Sequence, residues 1–271
     1  MSADAHARGL HLHRYGGEGA ARYVSLHGWA GTHRTFEAVA PHLPPGQPML
    51  AMDMPGYGLT PDPARWCLDD LVAQMVAGLE GRLDGPCTLV GNCSGAVLAL
   101  LLWEARPAWF ERVVLVEPFA FTPWYFRLFT LPLLGRFFYW NAFENLLGRW
   151  ITDLALRDQD AQTGTDLLQG FRETRATTAL GHLRLIAALQ DPRRFAGLRA
   201  PVTLVSGDRT LAAVKASVKI WQEIWPHARH VEVQDAGHLL LQEQPRAAAS
   251  SLFNTPSLDP SAPPSAGAHR R

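Results

Sequence analysis

Cysteine is scarce in this chain. Three residues in 271 (Cys67, Cys87 and Cys93) are odd in number and lack any Cys-x-x-Cys spacing, which excludes a disulfide framework or a zinc-ribbon pattern and points to a reducing compartment. Charge of one sign is also absent: Lys+Arg and Asp+Glu both number 25, so nothing resembles the basic footprint of a nucleic-acid binder. The N-terminal stretch from Met1 to Gly19 is polar and without the apolar centre of a signal peptide, so a cytoplasmic protein is expected. Its longest aromatic stretch is interrupted by Arg127, Arg136, Pro123, Pro132 and Gly135, which argues against a membrane span but leaves interfacial contact with lipid open.

What is present is ordinary in bulk and specific in a few places. With 47% hydrophobic and 18% charged residues, the chain can build one large core or a core with an inserted subdomain. The most informative stretch is Gly91-Asn92-Cys93-Ser94-Gly95-Ala96, between an apolar run (Cys87 to Val90) and a helical-looking segment (Val97 to Trp103). A sharp strand-to-helix turn crowds the backbone around its tip, and only small residues two positions to either side relieve it; Gly91 and Gly95 do so, which lifts Cys93 onto the tip. A thiol there faces the positive end of a helix, which favours the thiolate. The plainer reading is a small core hydrophobe, the usual fate of a lone cysteine. Ser94 is the neighbouring candidate nucleophile, but choosing it moves the flanking small positions to Asn92 and Ala96 and the tip into the helix.

The flanks alternate strand and helix. Tyr23 to Leu26 reads as a strand ending in the loop His27-Gly28-Trp29-Ala30-Gly31; Phe36 to Leu43 has helical spacing; Met49 to Met52 is a strand ending in Asp53-Met54-Pro55-Gly56-Tyr57-Gly58. Leu68 to Leu83 is helical, and Val113 to Val116 is a further buried run ending at Glu117-Pro118. Strands and helices in this alternation imply a parallel sheet covered on both faces.

HGWAG, DMPGYG and GNCSGA, following successive strands, resemble the motif series of the α/β-hydrolase fold, and the resemblance resumes at Pro201 to Asp208 and at Val231 to His238. It covers residues 1–118 and roughly 199–254, the expected core, with 119–198 as an inserted helical cap and 255–271, rich in Pro, Ser and Ala, as a disordered tail. What the resemblance implies is a nucleophile, a histidine base and an acid at the C-terminal edge of a mostly parallel sheet. His238 matches the base, the backbone N–H groups of Trp29 and Ser94 the oxyanion donors, and the His27 ring a brace for the oxyanion loop. The acid departs from the family's G-x-x-D pattern, because Thr210 occupies its slot. Two carboxylates are available in its place: Glu117, matching the position used by certain haloalkane dehalogenases and the favoured choice, and Asp208 in the late loop. A Cys-His dyad with no essential acid is a third arrangement.

Cysteine elbows are a minority in the family, found in dienelactone hydrolases and polyhydroxyalkanoate synthases. Their intermediate is a thioester, which passes its acyl group readily to water or to another acceptor. The expectation is therefore an enzyme that needs no cofactor or metal, an esterase or thioesterase acting on a lipophilic acyl substrate. An acyltransferase using the same cysteine, or a fold member that binds a hydrophobic ligand without catalysis, are the alternatives. Between Phe119 and Phe143 lie 11 of the chain's 26 aromatic residues, part of which must pack the cap onto the core; Phe119, Phe121 and Trp124 are the candidate pocket residues.

Overall fold

The computed structural model describes residues 9–145, 169–189 and 191–254. The expected tail at 255–271 and the middle of the expected cap fall outside the described residues. Seven strands form one sheet in the order β1-β3-β2-β4-β5-β6-β7: β1 (Leu12–Tyr15), β2 (Tyr23–Leu26), β3 (Met49–Met52), β4 (Cys87–Asn92), β5 (Phe110–Val116), β6 (Val202–Gly207) and β7 (Arg229–Val233). All neighbours pair in parallel except β1, which runs antiparallel to β3 at the edge. This is the α/β-hydrolase architecture.

The apolar runs of β2 to β6 are continuous because both faces of the sheet are covered. Side chains still alternate between two cores: Val24, Leu89, Val113 and Leu115 face one, and Tyr23, Val90, Val114 and Val116 the other. The first core is closed by the helices Leu68–Leu79, Gly95–Ala105 and Ala212–Ile224, and the second by Pro245–Phe253. The helix Gly95–Ala105 is apolar around nearly its whole circumference, as a helix packed beneath a sheet must be, and eight of its residues are buried. Arg112 crosses to the second core and donates to the carbonyls of Leu252 and Asn254, fastening the last helix to β5.

Two local expectations are corrected. Phe36 to Leu43 is not one helix but the second half of a broken segment, with 3-10 turns at His33–Phe36 and Ala40–His42. Pro41 lacks an N–H and its ring would clash with the carbonyl of Glu37, so the turns cannot fuse. The N-terminal stretch, read as a polar lead-in, supplies β1, whose pairing with β3 does not require an apolar sequence because the strand lies at an edge.

Between β5 and β6 the chain forms the short helices Trp124–Thr130 and Gly135–Tyr139, a π-helical turn at Trp140–Glu144, then Gln169–Glu173 and the longer Ala176–Ala188. These have an apolar cluster of their own, Tyr139, Phe143, Ala179 and Leu180, into which Trp29 and Phe171 pack. Phe143 and Phe171 stack at 4.2 Å. On the other side, Trp124, Leu133, Leu134 and Phe137 are exposed. Among the described residues no helix is long and apolar enough to cross a membrane.

Candidate active site

In sheet order β2, β4, β5, β6 and β7 are consecutive, and the loop leaving the C-terminal end of each delivers one part of the site. From β4 comes Cys93, held at φ +54°, a left-handed conformation costly for any residue with a Cβ. The surroundings impose it. The Cys93 N–H donates to the Val116 carbonyl at 2.8 Å, and a Cβ on Gly91 would stand 2.6 Å from the Ala96 Cα. A Cβ on Gly95 would collide with the His27 carbonyl, and one on Gly28 would come within 2.8 Å of the Cys93 Cβ. Glycine is thus required on both sides of the tip and on the loop that faces it.

From β7 comes His238. Its Nδ1 lies 2.8 Å from Oε2 of Glu117, and the ring hydrogen-bonds the Cys93 thiol on its other side. Burial alone would lower the His238 pKa, but the Cys93 sulfur and the Glu117 carboxylate together raise it from 6.5 to about 10. Phe119 packs edge-on against the same ring at 5.8 Å.

Glu117 terminates β5 with φ +51° and is fully buried. Its carboxylate is saturated: Oε1 accepts the Gly207 N–H at 2.7 Å, while Oε2 accepts the Thr210 hydroxyl and meets His238. Thr210, in the slot where the sequence pattern places an acid, therefore holds the carboxylate that meets His238. Asp208 is engaged elsewhere. Its Oδ1 accepts the Ala236 N–H at 3.0 Å, a bond that keeps its carboxyl below the usual range and ties the loop before His238 to the end of β6. The structure brings Cys93, His238 and Glu117 together and leaves Asp208 out of that contact.

From β2 comes the loop at Gly28 to Thr32. His27 is buried, and because its Nε2 accepts the Met54 N–H at 3.0 Å, its proton lies on Nδ1, which donates to the Gly28 carbonyl at 2.8 Å. Burial lowers its pKa to about 4, so the ring is neutral. The N–H groups of Trp29 and Ser94 donate to no acceptor among the described residues. Two free N–H groups beside the elbow can stabilise negative charge that develops on a bound carbonyl oxygen.

Cys93 and His238 lie in the wall of a cavity of about 790 Å³, whose lining includes Trp29, Phe119, Phe121, Tyr125, Phe126 and Phe129. Trp124 does not line it and is 74% exposed. On a helix beginning at Trp124, Phe126 and Phe129 project from roughly one face, and Trp124 from the opposite one.

His182, on the helix Ala176–Ala188, was not singled out in the sequence. It is buried at the cavity wall with Nε2 3.3 Å from the Ser94 hydroxyl, and burial lowers its pKa to about 3. Ser94 is thus paired with a neutral histidine of the cap and not with His238. Nothing local marks His182, which falls in a helical stretch with no motif. A second tie runs from the Trp29 indole N–H to the Ala179 carbonyl at 2.8 Å. Among the described residues, the group able to hold a metal is His11, His13 and His33, none of which lines the cavity.

Comparison with known proteins agrees with this architecture. A lipase of Mycobacterium tuberculosis, LipV, is 38% identical over 109 residues, a stretch that spans 40% of this chain and 41% of the lipase. A pimeloyl-[acyl-carrier protein] methyl ester esterase of Nitrosomonas europaea is 26% identical over 79% of this chain and 87% of its own length. Among solved structures, the α/β hydrolase MGS-M2 from a Medee basin deep-sea metagenome shares the fold at a TM-score of 0.73 and 19% identity, over 93% of this chain and 97% of that one. The enol-lactonase of Burkholderia xenovorans does so at 0.71 and 19%, over 89% and 94%. Residues 24–245 match the α/β hydrolase fold family, and the chain belongs to it.

Proposed function

We propose that this protein is an acyl-transfer hydrolase that cleaves an ester or thioester of a lipophilic acyl group, with Cys93 as nucleophile, His238 as acid and base, and Glu117 as the acid that orients His238. The observation that carries the proposal is the unbroken line from the Cys93 thiol through the His238 ring to the buried Glu117 carboxylate, set in the wall of an aromatic cavity. The names of the relatives, a lipase and a methyl ester esterase, support ester chemistry.

The reaction follows from the geometry. The Cys93 proton passes to His238, whose pKa is raised by the sulfur and by Glu117, and the sulfur attacks the substrate carbonyl carbon, whose oxygen gains negative charge opposite the N–H groups of Trp29 and Ser94. Collapse of this intermediate expels the alcohol or thiol, which takes the proton from His238 Nε2, and leaves an acyl thioester on Cys93. Acylation removes the sulfur's influence, the largest of those raising His238. The ring then falls towards its ordinary value and becomes a base for the incoming water, while Glu117 holds the Nδ1 proton throughout. Water adds to the thioester, the acid leaves, and the proton returns to the Cys93–His238 pair.

Intact-protein mass spectrometry after brief exposure to p-nitrophenyl esters and acyl thioesters of several lengths tests this reading. The wild type is expected to gain one acyl group. Cys93→Ala should lose both adduct and turnover, the latter by at least about 1,000-fold, and Ser94→Ala should keep the adduct. An adduct that survives Cys93→Ala would refute the assigned nucleophile. Shortening of the adduct's life by added alcohols or amines, more than by water, would replace hydrolase with acyltransferase, and the absence of adduct and product alike would favour a binding protein.

A further inference from the structure

Three imidazoles that the proposed chemistry does not use meet at the β1 edge of the sheet. His11 and His13 are two residues apart on an extended segment, so both rings project from one face of it. His11 is fixed at its backbone: its N–H donates to the Thr60 hydroxyl at 2.8 Å, and its carbonyl accepts the Asp53 N–H at 3.0 Å. The third ring, His33, arrives from the loop after β2. One nitrogen from each of the three rings lies within 4.8 Å of the others.

Plain aromatic packing accounts for part of this arrangement, since His13 stacks on His33 with centroids 4.7 Å apart at 17°. It does not account for His11. Its Nε2 is buried and has no hydrogen-bond partner, with the nearest counter-charge, Oδ2 of Asp53, at 3.9 Å. A polar nitrogen taken out of water without a partner is a net cost, and native structures seldom leave one without a reason. Nor does stacking account for the treatment of His33. The fully buried Asp53 accepts from His33 Nδ1 at 2.9 Å and from the His33 backbone N–H at 2.7 Å, which fixes the tautomer and leaves Nε2 of that ring as its free lone pair. A carboxylate on one ring nitrogen, which leaves the other as the acceptor, is the arrangement that orients histidine towards a metal.

We infer that His11, His13 and His33 form a binding site for a transition-metal dication of the zinc, nickel or copper class, with Asp53 orienting His33. Three imidazole nitrogens suit these ions and not magnesium or calcium, which favour oxygen. A tetrahedral zinc with bonds of about 2.0–2.1 Å holds its nitrogens about 3.3 Å apart, so the rings need to close by up to about 1.5 Å, with the fourth position open to water. These side chains are only half-buried, and rotation about their side-chain bonds supplies that movement. The ion would join β1, the edge strand, to the loop of Gly28 to His33 and hence to the segment that offers the Trp29 N–H to Cys93.

The test is calorimetric titration of the full untagged chain, stripped with chelator, with Zn²⁺, followed by cobalt substitution. One ion per chain is expected, with a rise in Tm and a Co²⁺ absorption spectrum of four-coordinate type. His13→Phe keeps the ring stack and removes the ligand, and should weaken binding at least about 100-fold; His11→Gln serves as the second variant. Cys93→Ala should leave binding unchanged, which separates the histidine cluster from the neighbouring thiol and imidazole of Cys93 and His238. No binding by the wild type, binding that both histidine variants retain, or binding abolished by Cys93→Ala would each overturn the site.

Discussion

Glu117 and Thr210, 93 positions apart in sequence, meet beside the His238 ring. The late loop ends in Thr210 where an acid is usual, and the threonine hydroxyl donates to the Glu117 carboxylate. A fully buried carboxylate is tolerable only when its lone pairs are used, and here the Gly207 N–H, the Thr210 hydroxyl and the His238 ring use them. The contact between ring and carboxylate gives a measurable consequence. If Glu117 orients the ring that meets Cys93, Glu117→Gln should lower turnover of a p-nitrophenyl ester by roughly 100-fold, and His238→Ala should lower it further. Turnover unchanged in Glu117→Gln would remove that carboxylate from the mechanism.

At the scale of elements, the helix Ala176–Ala188 carries three polar ties from the segment between β5 and β6 to the rest of the chain: the Ala179 carbonyl to the Trp29 indole, His182 to Ser94, and the Thr178 hydroxyl to the Asp62 carboxylate. Trp29→Phe preserves an aromatic plug in the Tyr139 and Phe143 cluster but leaves the Ala179 carbonyl without its donor. The expected cost is about 1–3 kcal/mol in urea unfolding, with faster proteolysis between β5 and β6 and the backbone N–H of residue 29 still in place. Equal stability and equal proteolysis would show that the indole N–H bond contributes nothing to seating this segment. This same element marks where sequence reading stops. The strands and their Gly-rich ends were legible because their signals are local: Gly91 and Gly95 flank the elbow within four residues, and His27-Gly28 follows directly on β2. Sequence favours Glu117 over Asp208 as the partner of His238 only through a family position, since the two lie 121 and 30 residues away and the sheet order β5-β6-β7 is what brings Glu117 to the ring. His182 and the outward turn of Trp124 depend on how a motif-free helix is rotated, which aromatic content does not specify. Pro41 breaks the segment after Phe36 even though its apolar residues recur at helical spacing.

For the molecule as a whole, two buried histidines and the partly buried His238 set opposite limits on stability. His27 and His182 fold as neutral rings, with burial lowering their pKa values to about 4 and about 3. In the unfolded chain each takes up a proton near 6.5, so the unfolded state binds more protons below that value, and stability falls as pH drops from about 6.5 towards those folded values. The loss is about 1.4 kcal/mol per pH unit for each ring, or roughly 2 kcal/mol from each at pH 5. His238 acts in the other direction. Its folded pKa is raised to about 10, so its contribution is complete below about 6.5 and is lost as pH rises through that window. These histidines therefore place the stability maximum near neutrality. Urea unfolding of the wild type and of His182→Asn at pH 7 and pH 5 separates the terms, because asparagine keeps a hydrogen-bonding group near Ser94 and cannot titrate. The variant should be less stable at pH 7 through lost packing, yet its decline between the two pH values should be smaller than the wild type's by about 2 kcal/mol. An equal decline in both proteins would mean that His182 is not held neutral, and that the contact between cap and elbow is wetter than its burial implies.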